Sequence, residues 1–426
     1  MRREKDVASS FLLLAALFAT TSVSFAAASV LKDSDGHMLG CVRGAGAASS
    51  QLAAECDVHV MACTFLTFRY EWRYLREWIA HHSVAGVASF AFWIDALTSN
   101  TTHNLHEKWA SVELDALARL PGVSVFTRGL DASGKLEVQG SPLLKKCQDH
   151  ARSLGADWVF EADVDEVLLT GATALDPAAT LGGGIVPEPA TAARCRNSAE
   201  QGVLGVARAL RSLAHTPVAA LVLPRKSFLH GDVATPPAGR LQTETYTWRD
   251  AGADAWSGEQ ARVYSGKLLV RVRGVSSPVE WSTHHAVITD RRRRLVVRST
   301  DALPLEFNGS AGFWLPSARE AHHNRELADF ASHNLRMHHY VTRSMKECER
   351  KQRDTAAAVA SGSIRSSWRL TSSDAARMCE PHTPRQRNGG ANGGGRLARD
   401  VSAACWAPRV RERIELLRDA AWGDAL

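Results

Sequence analysis

The sequence predicts an α/β fold, a mostly parallel sheet with helices on both faces, followed by a smaller mixed C-terminal part. Two observations carry this prediction. From residue 57 onward, apolar runs of strand length alternate with amphipathic stretches of helical period. Two of those stretches stop at a glycine, Gly86 and Gly155, as helices commonly do. Such alternation implies right-handed crossovers and a sheet covered on both sides.

The elements follow in order. "VHVMACTFLTF" (58–68) is a continuous apolar run and reads as the first strand. In "EWRYLREWIAHHSVAG", Trp72, Leu75, Trp78, Ile79 and His82 recur three or four apart, which predicts an amphipathic helix ending at Gly86. "FAFWID" (90–95) is a second strand, 104–120 a second helix and "VSVF" (123–126) a third strand. "PLLKKCQDHARSLG" (142–155) is a third helix, leading into a fourth strand in "WVFEADVDEVLL" (158–169). Residues 170–200, rich in Ala, Pro and Gly, read as a loop or insertion. Strands resume at 218–224, 267–272 and 294–299; "NGGANGGG" (388–395) is a linker and a short helix closes the chain.

At 426 residues, with 45% hydrophobic and 23% charged, the composition is that of a globular protein and excludes a disordered or fibrous one. The net charge of +6 is mild, and the run Arg291–Arg294 has no aromatic partner motif, so nucleic acid is not expected as a ligand. Arg2, Arg3 and Lys5 precede the apolar "FLLLAALFA" (11–19), the layout of a secretory signal. Cleavage after the small residues near Ser24 and Ala26 and an uncleaved anchor both fit; the anchor is the reading taken, with the catalytic part in the lumen of the secretory pathway. Sequons at Asn100 and Asn308 agree with that placement. The eight cysteines contain no C-x-x-C pair; in an oxidising lumen some should form disulfides, with pairing left open. The expected organisation is a signal or anchor (1–31), a stem (32–56), a catalytic domain (57–355) and a C-terminal extension (356–426).

The chemistry concentrates in "EADVDE", where four acids occupy six positions at the end of a strand. In parallel sheets, ligands bind beyond the carboxyl ends of the strands. Asp163 and Asp165 are two apart and on a regular strand would share a face. Two anions facing one way need a cation, and Mn²⁺ or Mg²⁺ suits carboxylate oxygens together with substrate phosphates. His82 reads as a packed core histidine, Trp72 and Trp78 as core, and Trp248 and Trp281 as packing residues able to stack on a sugar. Paired carboxylates also serve glycoside hydrolases, but no matching acid on another element is evident.

Five blocks carry a resemblance. "LREWIAHHSVAGVASFAFWID", "WVFEADVDEVLL", "RKSFLHGDVATPPAGRLQTETYTWR", "GKLLVRVRGVSSPVEWSTHHAV" and "MHHYVTRSMKECERK" resemble, in order, the signature blocks of family 92 glycosyltransferases across residues 58–351. The resemblance implies a GT-A, Rossmann-like fold and a metal-dependent inverting transferase that moves a sugar, notably galactose, from a UDP-sugar to a glycan. It implies Asp163 and Asp165 as metal ligands, His284 as a further ligand, and Asp95 at the nucleotide. His339 and Tyr340 match the family's His-Tyr block. Glu244, and Asp232 in an altered turn, are the candidates for the general base such a reaction requires. The sequence departs from the family at Ala96, at "LHGD" and at Thr245; the altered turn keeps open a glycan-binding homologue without turnover.

Overall fold

The computed structural model describes residues 58–66, 68–95, 106–128, 141–171, 175–176, 195, 204–216, 218–229, 233–235, 237–250, 267–272, 280–281, 286–287, 296–299, 304–308, 313–316, 330, 332–340, 343–360, 397–400 and 402–421. The N-terminal segment and stem, Asn100, Asp232, His284, Arg291–Arg294 and the stretch 388–395 lie outside them. No helix among the described residues is long and apolar enough to cross a membrane.

The first half follows the expected alternation: β1 (Val60–Leu66), α1 (Phe68–Ala85), β2 (Ser89–Asp95), α2 (His106–Arg119), β3 (Val123–Arg128), α3 (Ser141–Ser153) and β4 (Trp158–Glu161). The run 158–169 departs from expectation. It breaks after Glu161 and resumes as β5 (Glu166–Leu169), which belongs to another sheet. Then come β6 (Leu175–Asp176), α4 (Gly205–Arg211), β7 (Val218–Leu223), β8 (Arg225–Leu229), α5 (Gln242–Thr245), β9 (Trp248–Asp250) and β10 (Lys267–Arg271). The remainder comprises β11 (Glu280–Trp281), β12 (Ala286–Val287), β13 (Val296–Ser299), β14 (Pro304–Asn308), β15 (Phe313–Pro316), β16 (Arg336–His339), α6 (Met345–Ala360), β17 (Leu397–Asp400) and α7 (Ala407–Ala421).

The main sheet has nine strands in the order β15-β14-β13-β7-β10-β4-β1-β2-β3. β3, β2, β1 and β4 are parallel neighbours, whereas β10 runs antiparallel between β4 and β7. β14 is also reversed, so the other strands all point one way and the sheet is mixed but mostly parallel. After β1 the chain builds outward through β2 and β3, then returns to lay β4 on the other side of β1. That reversal of direction falls between β1 and β4, and beyond the carboxyl ends of the strands at such a point is the usual ligand position in these sheets. A second sheet, β5-β16-β8-β9-β17-β6, and the pair β11-β12 complete the strands among the described residues.

Alternation along β1 accounts for helices on both faces. Val60, Ala62 and Leu66 join one core layer with Trp78 and Ile79 of α1, Leu117 of α2 and Val410 of α7. Met61, Cys63 and Phe65 join the other with Leu143, Leu144 and Cys147 of α3. Each fully buried Leu or Ile contributes about 1.5–3 kcal/mol. α1 stops where Gly86 takes φ +103°, and α4 packs so close that a Cβ there would meet Ala207 Cβ at 3.2 Å. Cys63–Cys147 joins β1 to α3, Cys195–Cys405 ties residue 195 to the start of α7, and Cys348 is also disulfide-bonded.

Residues 397–421 were expected to belong to an extension outside the catalytic unit. Instead β17 pairs with β9 and β6, and α7 packs along α1, with the Trp406 ring stacked on His81 at 4.9 Å. Trp406 is fully buried, which explains the docking: α1 presents an apolar face wider than the sheet alone covers. Trp406→Ala should cost about 3–5 kcal/mol in urea unfolding, the range for deleting a large core side chain. A loss below about 1 kcal/mol would show that this segment is dispensable to the core.

Candidate functional site

β4 ends at Glu161, opposite Cys63 of β1, and Ala162 N donates to Cys63 O at 3.0 Å. The chain then turns sharply. Glu166 N donates to Asp163 O at 2.9 Å, and Asp163 N donates to Glu166 Oε2 at 3.0 Å. The expectation that Asp163 and Asp165 share one strand face is therefore corrected, because both lie in a turn between two sheets. The Asp163 side chain is 36% exposed and that of Asp165 only 5%.

Three separate elements hold the backbone of this turn. The Trp78 indole donates to Asp163 O at 3.1 Å and to Glu166 O at 2.9 Å. Gln242 Nε2 donates to Val164 O at 3.4 Å, and Tyr340 N donates to Asp165 O at 2.7 Å. Trp78 thus fills the core as expected and also orients the acids. His82 is likewise a core histidine: its Nδ1 lies 2.8 Å from Trp78 O and its Nε2 accepts from Leu168 N at 3.2 Å. Burial lowers its pKa to about 4, so the ring is neutral.

What balances the acids is a residue that sequence reasoning missed. β10 runs antiparallel to β4 with Leu269 opposite Phe160, which carries Lys267 past the end of β4. Its Nζ lies 2.7 Å from Glu161 Oε2, 3.1 Å from Asp163 Oδ2 and 3.1 Å from Glu166 Oε2. Lys267, Glu161 and Glu166 are all buried. Burial works against the ammonium, yet Asp163, Glu161 and Glu166 outweigh it and hold its pKa well above the usual lysine range. Burial also pushes the Glu161 carboxyl upward despite Lys267, because one ammonium cannot balance three acids. Arg225 stands 3.6 Å from Glu166 Oε1 and adds positive charge from the side. A lysine heading an apolar strand-length run, "KLLVRV", was the available signal.

Asp165 faces a different set. His339 Nε2 lies 3.5 Å from its Oδ1, and the Arg343 guanidinium, itself stabilised as a cation by Asp165, covers the Tyr74 ring at 3.9 Å. Asp163 is thus a partner of Lys267 with an open side and Asp165 a buried neighbour of His339, and both are hard oxygen donors of the kind Mn²⁺ or Mg²⁺ takes. Among the described residues no three His, Cys, Asp or Glu side chains form a ready cage. Two carboxylates completed by phosphates and water need none.

Asp95 ends β2, paired with Arg128 in register, and its side chain is outside those described. His284 and Asp232 are outside the described residues. Glu244 sits on α5, its Oε2 accepting from Leu241 N at 3.1 Å and pairing with Arg411 of α7. β9 and β11 carry Trp248 and Trp281 in their backbones, and Trp72 packs part-buried against the core.

Lys267→Met leaves buried carboxylates without their cation and should destabilise the fold by about 3–5 kcal/mol at pH 8, measured by chemical unfolding. The loss should shrink toward pH 5 as the raised Glu161 carboxyl takes its proton, and a pH-independent loss would contradict the charge balance. No protein-family model matches the chain, and no curated protein matches it.

Proposed function

We propose that the protein is a metal-dependent inverting glycosyltransferase of GT-A type, transferring a sugar, galactose by resemblance, from a UDP-sugar to a glycan acceptor. One observation carries the reading: the Asp163–Asp165 turn stands just past the carboxyl end of β4, next to β1, with its backbone held by three other elements. Asp163 and Asp165 would hold Mn²⁺ or Mg²⁺, and His284 is the further ligand implied by resemblance. The bound ion supplies charge neutralisation to the departing diphosphate.

The chain's own residues do the rest. Trp78, Gln242 and the backbone N–H of Tyr340 keep the turn from moving, so its carboxylates meet the donor without reorganising. Lys267 keeps Glu161 and Glu166 from adding to the negative charge at the donor. Glu244 or Asp232 takes the proton of the acceptor hydroxyl as it attacks the anomeric carbon from the face opposite the diphosphate. The disulfides Cys63–Cys147 and Cys195–Cys405 support an oxidising compartment, in keeping with a Golgi enzyme anchored by its N-terminal segment.

A second reading is favoured by Lys267 Nζ at 3.1 Å from Asp163: a glycan-binding homologue in which the ammonium has taken over the charge role of the metal. Titrating UDP with and without Mn²⁺ separates the two. The transferase requires Mn²⁺ for tight UDP binding and loses transfer in EDTA; binding that ignores Mn²⁺ would favour the homologue. Asp165→Asn should lower transfer by about 100-fold or more, the scale for removing one electrostatic stabiliser. Its melting temperature should move by only a few degrees. Wild-type turnover in that variant would sink the reading.

A further inference from the structure

Glu77 of α1 is a buried carboxylate that the reaction scheme above does not use. Its oxygens accept from Gln242 N at 2.8 Å, Thr243 N at 3.1 Å and Thr243 Oγ1 at 2.9 Å. A side chain from one helix thereby caps the first turn of α5, 165 residues along the chain. That short turn has two further attachments. Gln242 Nε2 reaches Val164 O, the residue between Asp163 and Asp165. Glu244, three residues past the cap, is the candidate base. Trp78, adjacent to Glu77, grips the same acidic turn through its indole N–H. α1 therefore holds the turn twice, directly through Trp78 and indirectly through Glu77 and α5.

We propose that Glu77 is a positioning residue for the donor site: by capping α5 it keeps Gln242 on Val164, and so sets where Asp163 and Asp165 stand. The proposal rests on the donor-binding reading above. A cap that only stabilises does not need a charge here, since losing the hydration of a buried carboxylate offsets much of what the hydrogen bonds contribute. Among the described residues, the groups that weigh most on the charge of Glu77 include no cation. Glu244 on α5 adds negative charge, and Tyr246 beyond α5 and Tyr340 beyond β16 are both kept neutral by burial. Burial consequently pushes the Glu77 carboxyl up to about 7, against the pull of Gln242 and Thr243.

The pH dependence has a definite sign. Below about 7 the carboxyl takes a proton and gives up part of its acceptor capacity toward α5. One unit lower, about a tenth of it remains ionised, so apparent UDP affinity should fall by up to about tenfold between pH 8 and pH 6. Stability moves the other way. A carboxyl raised in the folded state favours folding when protonated, and that contribution is lost as pH climbs from the unfolded value toward 7. A residue that only stabilised the fold would not weaken binding at the pH where it strengthens folding.

The test is calorimetric titration of UDP with Mn²⁺ at pH 6, 7 and 8, on the wild-type protein and on Glu77→Gln. Hydrogen–deuterium exchange is followed at 162–166 and 241–245 in both. The terminal phosphate of UDP titrates in this range in either protein, so the difference between them is the readout. The wild type is expected to bind up to about tenfold more weakly at pH 6 than at pH 8 beyond the phosphate effect. The variant should show only the phosphate effect and should exchange faster at both segments. An unchanged profile in Glu77→Gln, or faster exchange confined to 241–245, overturns the proposal. Should the wild type bind no UDP at any pH, the donor-binding reading fails, and the exchange comparison alone decides whether Glu77 holds the two turns together.

Discussion

A single buried ammonium governs how this site is built. Lys267 stands within 3.1 Å of Glu161, Asp163 and Glu166, and two of those acids have no access to water. Carboxylates so placed survive only if something replaces their hydration. Because the replacement arrives on a reversed strand, the antiparallel course of β10 between β4 and β7 is an electrostatic requirement as well as a topological detail. A parallel β10 would point its first residue toward the opposite edge of the sheet.

With Lys267 set against Glu161 and Glu166, Asp163 is the acid of the turn that reaches solvent. Asp163 shares Lys267 but retains an open side, and Asp165 is held between His339 and the field of Arg343. The turn that presents them is fastened by Trp78, Gln242, Glu166 and the backbone of Tyr340, contributed by α1, α5, β5 and the end of β16. Rigid elements position a site more accurately than a loop fastened only at its ends. The sharp break at Ala162 serves this arrangement, since it sends the chain from one sheet to the other and leaves the acids at the seam.

Much of this architecture was legible in advance. β1 through β4 and their helices could be read because each apolar run or helical stripe is carried by neighbours in sequence: Val60 to Leu66 for a buried strand, Leu75, Trp78 and Ile79 for a helix face. His82 was recognisable as a core residue for the same reason. The acids could be located but not their geometry, because a run such as 158–169 has strand character on both sides of the turn. Lys267 was hidden because its partners are about a hundred residues away, and no local pattern encodes a register between distant strands. Glu77 was hidden differently. On an amphipathic helix it resembles any solvated polar residue, and only α5 docking over it reveals that it is buried. The docking of α7 was missed because its apolar positions are few and its partner surface lies on α1.

The 106-residue gap between Glu161 and Lys267 also has a consequence for biosynthesis. A ribosome releases the chain in one direction, so the first four strands and their helices emerge long before the lysine that compensates their acids. A nascent chain at that stage lacks the cation that stands against Glu161 and Glu166 in the finished sheet. Completion waits for β10, and the cover over α1 waits longer still, for Trp406 and the segment after it. The ion pairs that complete this turn can therefore form only after residue 267 has been made.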